Sequence, residues 1–284
     1  MRIARFTHGG STRLGLVEGD TVIDVGTADP SLPTELGAVL AAGTLSTVGA
    51  TAATAPRLAL ADVRLEAPIP LPTNFIAIGL NYADHVKESG MDKPKMPVVF
   101  NKQNTCVTGP FDPVDVPTAA PTMVDYEGEL GVVIGTKCRN VSKERAHEVV
   151  AGYLVVNDVS VRDWQLATPT MTIGKGWDTH GPIGPWLVTA DEVPDPHNLR
   201  IRTWVDGDLR QNESTALMLN NCWELIEFLS TAFTLLPGTI IATGTPAGVG
   251  FKMQPSGCVN PGQTVRIEIE GIGTIENPFV AQRG

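Results

Sequence analysis

The chain has 284 residues, 42% of them hydrophobic and 18% charged, which is the composition of a globular protein and excludes a mainly disordered one. Lys and Arg number 21 against 31 Asp and Glu, a formal charge of −10. With no basic run this excludes a nucleic-acid partner, because phosphate binding needs a basic face.

Residues 1–24 read as two short strands, with a turn at Glu18-Gly-Asp20. No apolar stretch here is long enough for a signal peptide or a membrane span, so a cytoplasmic protein with no membrane partner is expected. Four scattered cysteines without a CxxC agree with a reducing compartment. Residues 35–60 are weakly helical. Pro68, Pro70 and Pro72 then mark a boundary, giving a small N-terminal domain over 1–70 and a catalytic domain over 71–284.

Beyond the prolines strands dominate. Asn74 to Gly79, Glu129 to Gly135 and Gly152 to Asn157 are runs of the buried type. Ser142 is placed to cap a helix reaching about Val150, and a second helix is predicted from Asn221 to Leu236, stopped by Pro237-Gly238. The segment after Gln263 alternates as a hairpin. Many strands, few helices, and 29 Gly with 22 Pro to turn the chain predict an α+β, mostly β fold.

Asp125-Tyr-Glu127-Gly-Glu129 carries the most chemistry. Residues i and i+2 of a strand share a face, so Glu127 and Glu129 project side by side, and their repulsion is relieved by a cation. A wet acidic strand has the same spacing. Asp158 ends a run too apolar for an unpaired charge, so it needs a cation or strong donors, although a turn-capping Asp also occurs at strand ends. Three carboxylates with room for water suit Mg²⁺ or Mn²⁺, with Ca²⁺ as an alternative, and no His or Cys stands nearby to favour zinc.

His85 and Glu88 stand at i, i+3 on a predicted helical turn, either as an acid–base pair or as a solvated face. Lys175 lies between Gly174 and Gly176, which allow a close approach. It faces either a pocket or a solvated turn. Arg162 and Gln165 follow Asp158 as potential donors. Thr243 to Gly250 lacks the Gly-Lys-Ser/Thr ending of a phosphate loop, but its hydroxyls and amides are suited to holding a carboxylate. His8, His147 and His197 read as ordinary surface or loop residues. His180, close to Lys175, is the histidine to follow.

Five motifs in order then carry a resemblance: Gly79-Leu-Asn-Tyr-Ala-Asp-His85; Asp125-Tyr-Glu-Gly-Glu129 with its apolar run; Asn157-Asp-Val-Ser-Val-Arg-Asp-Trp-Gln165; Gly174-Lys-Gly-Trp-Asp178 with Gly181-Pro-Ile-Gly-Pro185; and Pro237 to Gly250. Over residues 74–278 the chain resembles the fumarylacetoacetate hydrolase superfamily, most of all its shorter bacterial members acting on acylpyruvates and diketo-deoxy sugar acids. The resemblance implies a mixed β-roll catalytic domain behind a small N-terminal α/β domain, usually as a homodimer. It implies Glu127, Glu129 and Asp158 as metal ligands, His85 and Glu88 as a dyad on a lid, and Lys175 beside the reacting oxygen. Arg162, Gln165 and Thr245 match substrate or supporting contacts. His180 departs from an expected aromatic. Met91, Met96, Trp164, Trp177 and His180 are candidates for the wall around the substrate's tail.

The implied activity is metal-dependent hydrolysis of a C–C bond in a small β-keto or 2,4-dioxo acid, giving pyruvate and a carboxylic acid. Oxaloacetate decarboxylation and keto–enol or double-bond isomerisation use the same groups. A non-catalytic carboxylate-binding protein is the reading of another class, and it sits poorly with retention of the Lys and the dyad.

Overall fold

The structure, a computed structural model, describes residues 1–282. Its centre is the strand Gly128–Ile134, every residue of which is buried. Antiparallel pairing with Val150–Asn157 sets Glu129 opposite Val156 and Leu130 opposite Val155, and Ile240–Ala242 pairs along the other edge. Phe75–Gly79 continues the sheet beside Ile240–Ala242, followed by Val98–Lys102. Gly181–Thr189 extends it beyond Val150–Asn157 and pairs with Arg2–His8, so hydrogen bonding runs unbroken from the first residues into the centre.

Alternation sorts this sheet into two buried faces. Leu130, Val132, Tyr153 and Val155 pack toward a five-stranded sheet built from Arg200–Val205, Asp208–Ser214, Thr264–Ile269, Gly273–Ala281 and Val114–Val116. Val133, Leu154 and Val156 pack on the opposite face with Leu36, Val39, Leu40 and Val48 of two short N-terminal helices. A sheet covered on both faces explains the near-continuous apolar runs in its central strands.

Two helices differ from expectation. Cys222–Ala232 begins as predicted, with Asn221 and Glu224 forming a reciprocal capping box. It ends a turn early because Leu235 is drawn into a backbone bridge with Cys138. Ser142 starts no α-helix: a 3₁₀ turn covers Ala146–Val149, and the β-branched Val150 already belongs to the next strand.

Candidate functional site

Glu127, Glu129 and Asp158 converge because of register. Glu129 faces the same side of the sheet as Val133. Across the ladder Val156 is its partner, so Asp158, two residues on, emerges on that side as well. The Asp158 amide donates to the Glu127 carbonyl at 2.9 Å, closing the strand ends together. One carboxylate oxygen from each residue lies within 4.8 Å of the others, and all three side chains are buried.

Gly128 is required between the two glutamates. A Cβ there would stand 2.4 Å from Thr203 Oγ1 of the second sheet. Its amide donates to Gln211 Oε1 at 3.0 Å, Gln211 Nε2 donates to Thr245 Oγ1 at 2.7 Å, and Thr245 Oγ1 donates back to the Gly128 carbonyl at 3.0 Å. The Thr245 hydroxyl is therefore already occupied on both sides.

Three buried cations hold the carboxylates. Lys175 Nζ donates to Glu127 Oε2 at 2.7 Å and to Asp158 Oδ2 at 2.8 Å. Lys102 Nζ donates to Asp158 Oδ1 at 2.6 Å and to the Lys175 carbonyl. Arg162 Nη1 donates to Glu127 Oε1 at 2.6 Å and to Gln165 Oε1 at 2.9 Å, while its Nε donates to Asp125 Oδ2 at 2.9 Å. Burial raises the Glu127 carboxyl, but the Lys175 and Arg162 charges outweigh it and bring the pKa down to about 2. Among the described residues Glu129 receives only the Gly244 amide, at 2.8 Å. Burial, then the charges of Asp158 and Glu127, pushes it well above the usual carboxylate range.

The donor set fits a divalent cation. Once Glu129 gives up its proton, Asp125, Glu127, Glu129 and Asp158 outnumber Lys102, Arg162 and Lys175 by one buried charge, which a bound cation would offset. The three converging ligands are all carboxylates, a set that suits Mg²⁺ or Mn²⁺.

Above the carboxylates opens a cavity of about 460 Å³, lined by Glu127, Arg162, Gln165, Lys175 and Thr245 at its polar end. His85 also lines it, from the helix Ala83–Ser89, which Gly90 stops at φ +69°. His85 Nδ1 lies 3.3 Å from Glu88 Oε2, and the Gly248 amide donates to the Glu88 carboxylate at 3.0 and 3.2 Å. Lys175 ends the helical turn Thr172–Lys175, which packs so tightly that a Cβ on Gly174 would stand 2.1 Å from the Gln165 amide nitrogen. The close approach expected at Gly174 is thus to backbone, and at Gly176 it is to the Gln103 side chain.

All nine residues singled out in the sequence are in this region, but their availability differs. Among the described residues Arg162 is committed to three partners, whereas the Gln165 amide nitrogen has only a 3.8 Å contact to the Met171 sulfur. The amides of the Thr243–Gly250 segment hold the protein's own carboxylates, a correction to the expectation that they await a ligand: Gly244 takes Glu129, Gly248 takes Glu88 and Gly250 takes Asp125. Of the candidates for the tail wall only Met91 lines the cavity. Trp164 and Trp177 pack against each other, and Trp177 tilts over His180. His180 is buried, with Nε2 donating to the Asp115 carbonyl at 2.8 Å, and burial pushes its pKa down to about 4. It is a neutral core residue.

Lys102 and Asp125 were given no role from sequence. Asp125 accepts from the Gly250 and Phe251 amides as well as from Arg162, anchoring the loop over the site. The signal for Lys102 was available: it shares a strand face with Phe100, an alternation that buries a lysine.

A family model described as fumarylacetoacetate (FAA) hydrolase C-terminal matches residues 74–280, and one described as Rv2993c-like, N-terminal matches residues 1–68. The structure is similar to fumarylacetoacetate hydrolase from psychrophilic Exiguobacterium antarcticum, with TM-score 0.90 and 39% identity over 99% of this chain and 100% of that one. It is similar to maleylpyruvate hydrolase from Sphingobium sp. SYK-6 in complex with manganese(II) and pyruvate, with TM-score 0.83 and 34% identity over 100% of both chains. Likeness also extends to 5-carboxymethyl-2-hydroxymuconate delta-isomerase from Mycobacterium smegmatis, with TM-score 0.80 and 37% identity over 99% of this chain and 100% of that one.

Proposed function

The chain belongs to the fumarylacetoacetate hydrolase family, and on that premise we propose that it hydrolyses the C3–C4 bond of a 2,4-dioxo acid, giving pyruvate and a carboxylic acid. The observation that carries this reading is the meeting of three buried carboxylates beneath a cavity whose wall holds the His85–Glu88 pair. A full-length relative that holds manganese and pyruvate supports both the cation and the product.

Glu127, Glu129 and Asp158 would hold Mg²⁺ or Mn²⁺, with Ca²⁺ as an alternative, which supplies Lewis acidity toward the 2-oxo acid group. Gln165 offers its free amide N–H to the substrate carboxylate. His85, with Nδ1 turned to Glu88, takes a proton from water at Nε2, and Glu88 stabilises the imidazolium. The hydroxide adds to the C4 carbonyl. Collapse of that adduct breaks C3–C4, the acyl group leaves as a carboxylic acid, and the electron pair remains on the pyruvate enolate. The Lys175 ammonium faces that oxygen charge, and His85 returns its proton to C3.

Pyruvate release from acetylpyruvate, fumarylpyruvate and oxaloacetate, with Mg²⁺ or Mn²⁺ and with EDTA, tests the reading. EDTA-sensitive release from the acylpyruvates well above oxaloacetate is the expected result. A clear preference for oxaloacetate would make the enzyme a decarboxylase instead. The likeness to a delta-isomerase favours a second reading, in which His85 and Glu88 only shuttle a proton. Spectral change in an unsaturated 2-hydroxy acid with no pyruvate formed would identify it.

A further inference from the structure

One cation of the cavity takes no part in this scheme. Lys252 ends the 3₁₀ turn Gly250–Lys252 and lines the same cavity as His85 and Lys175. Its Nζ donates to the Ser89 carbonyl at 3.1 Å, and among the described residues it pairs with no carboxylate. An ammonium has three donors, so two remain. The other two cations of the lining already meet carboxylates: Lys175 with Glu127 and Asp158, Arg162 with Asp125 and Glu127. Glu127 is the one carboxylate among the described lining residues, and it stands at the inner end.

Phe251 limits the separation of the two ends. Its ring centroid is 5.9 Å from Arg162 Cζ and 4.9 Å from Lys252 Nζ. Laid end to end, these distances hold the inner guanidinium and the outer ammonium within about 11 Å. Leu166, Pro169, Met171, Val249 and Phe251 give the lining an apolar stretch. The lining thus joins a polar inner end, an apolar wall and one unpaired positive charge.

We propose that Lys252 binds a carboxylate at the far end of the substrate, so that the site selects 2,4-dioxo acids whose acyl group itself ends in a carboxylate. A seven-carbon diacid spans roughly 7–8 Å between its carboxyl carbons, taking about 1.25 Å of advance per C–C bond. With a hydrogen bond of about 3 Å at Lys252 its reach comes to the upper limit of about 11 Å that Phe251 sets. The proposal rests on the reading of this site as an acylpyruvate hydrolase.

The test compares the manganese-loaded enzyme with Lys252→Met and Lys252→Arg on fumarylpyruvate and acetylpyruvate. The ratio of kcat/KM for the diacid to that for the monoacid falls about 10- to 100-fold in Lys252→Met, chiefly through KM, and largely recovers in Lys252→Arg. An equal loss on both substrates, or none on either, overturns the proposal and leaves Lys252 as a clamp on the Ser89 carbonyl. Calorimetric binding of 2-oxoheptanedioate and 2-oxoheptanoate, which differ only in the tail carboxylate, separates this proposal from the hydrolase reading. Tighter binding of the diacid that vanishes in Lys252→Met upholds the subsite even where no pyruvate is released from any substrate. Pyruvate release with no diacid preference removes the subsite and keeps the hydrolase.

Discussion

Lys102 Nζ stands 2.6 Å from Asp158 Oδ1, and both side chains are fully buried. The lysine comes from a strand on the far side of Phe75–Gly79 and Ile240–Ala242 from the carboxylates, so it ties the edge of the sheet to the centre of the site. Lys175 meets the other oxygen of the same carboxylate. Replacing Lys102 with Met strips one of two cations from a buried Asp and is expected to destabilise the protein by about 3 kcal/mol. Chemical denaturation of the metal-free protein measures it. A loss under half a kcal/mol would mean that Lys175 alone balances Asp158.

Glu129→Gln keeps an oxygen to accept the Gly244 amide, so the local backbone retains its hydrogen bond. The variant is expected to bind Mn²⁺ at least about 100-fold more weakly by calorimetry and to lose pyruvate release accordingly. Unchanged affinity would remove Glu129 from the ligand set. Glu127→Gln and Asp158→Asn carry the same expectation, and excess EDTA should reproduce the loss in the wild type.

In Glu88→Gln the side-chain carbonyl still receives the Gly248 amide, while the charge facing His85 Nδ1 is gone. A fall in kcat of about 10²- to 10⁴-fold with an unchanged melting temperature is expected. Activity within threefold of the wild type would show that His85 works without its partner, or not at all.

His180 has its pKa pushed down to about 4 by burial against an ordinary value of 6.5. Between these values the unfolded chain binds a proton that the folded one does not, so this contribution is complete above about pH 6.5 and drains away as pH falls toward 4. His180→Gln keeps a donor for the Asp115 carbonyl but does not titrate. The wild type is expected to lose on the order of 2 kcal/mol more stability than the variant between pH 7 and pH 5. Parallel melting curves across that range would contradict a neutral buried imidazole.

Gly174→Ala would drive a methyl into the Gln165 backbone and is expected to displace the turn that carries Lys175. Loss of about 1–3 kcal/mol of stability, together with impaired activity, is the predicted result. A stable, fully active variant would mean that the turn can shift without moving Lys175.

By itself the sequence determined the strand assignments at the centre and marked three carboxylates among apolar neighbours, for one physical reason. A strand buried on both faces has no water to solvate a charge, so Glu127, Glu129 and Asp158 among apolar neighbours had to be matched by something. Alternation made Glu127 and Glu129 face the same way. Helical apolar spacing likewise marked a helix from about Asn221 to Leu236, which the structure ends at Ala232. What only the tertiary structure decided were contacts between segments distant in the chain. Register across the ladder brought Asp158 to the glutamates, and strand order brought Lys102 to Asp158. The loop from Thr243 spends its amides on Glu129, Glu88 and Asp125, which no local pattern announces. His180 follows Lys175 by five residues and yet faces the Asp115 carbonyl. Local periodicity fixes which way a side chain leaves its strand, but what it then meets depends on packing between elements that the periodicity of either one does not contain.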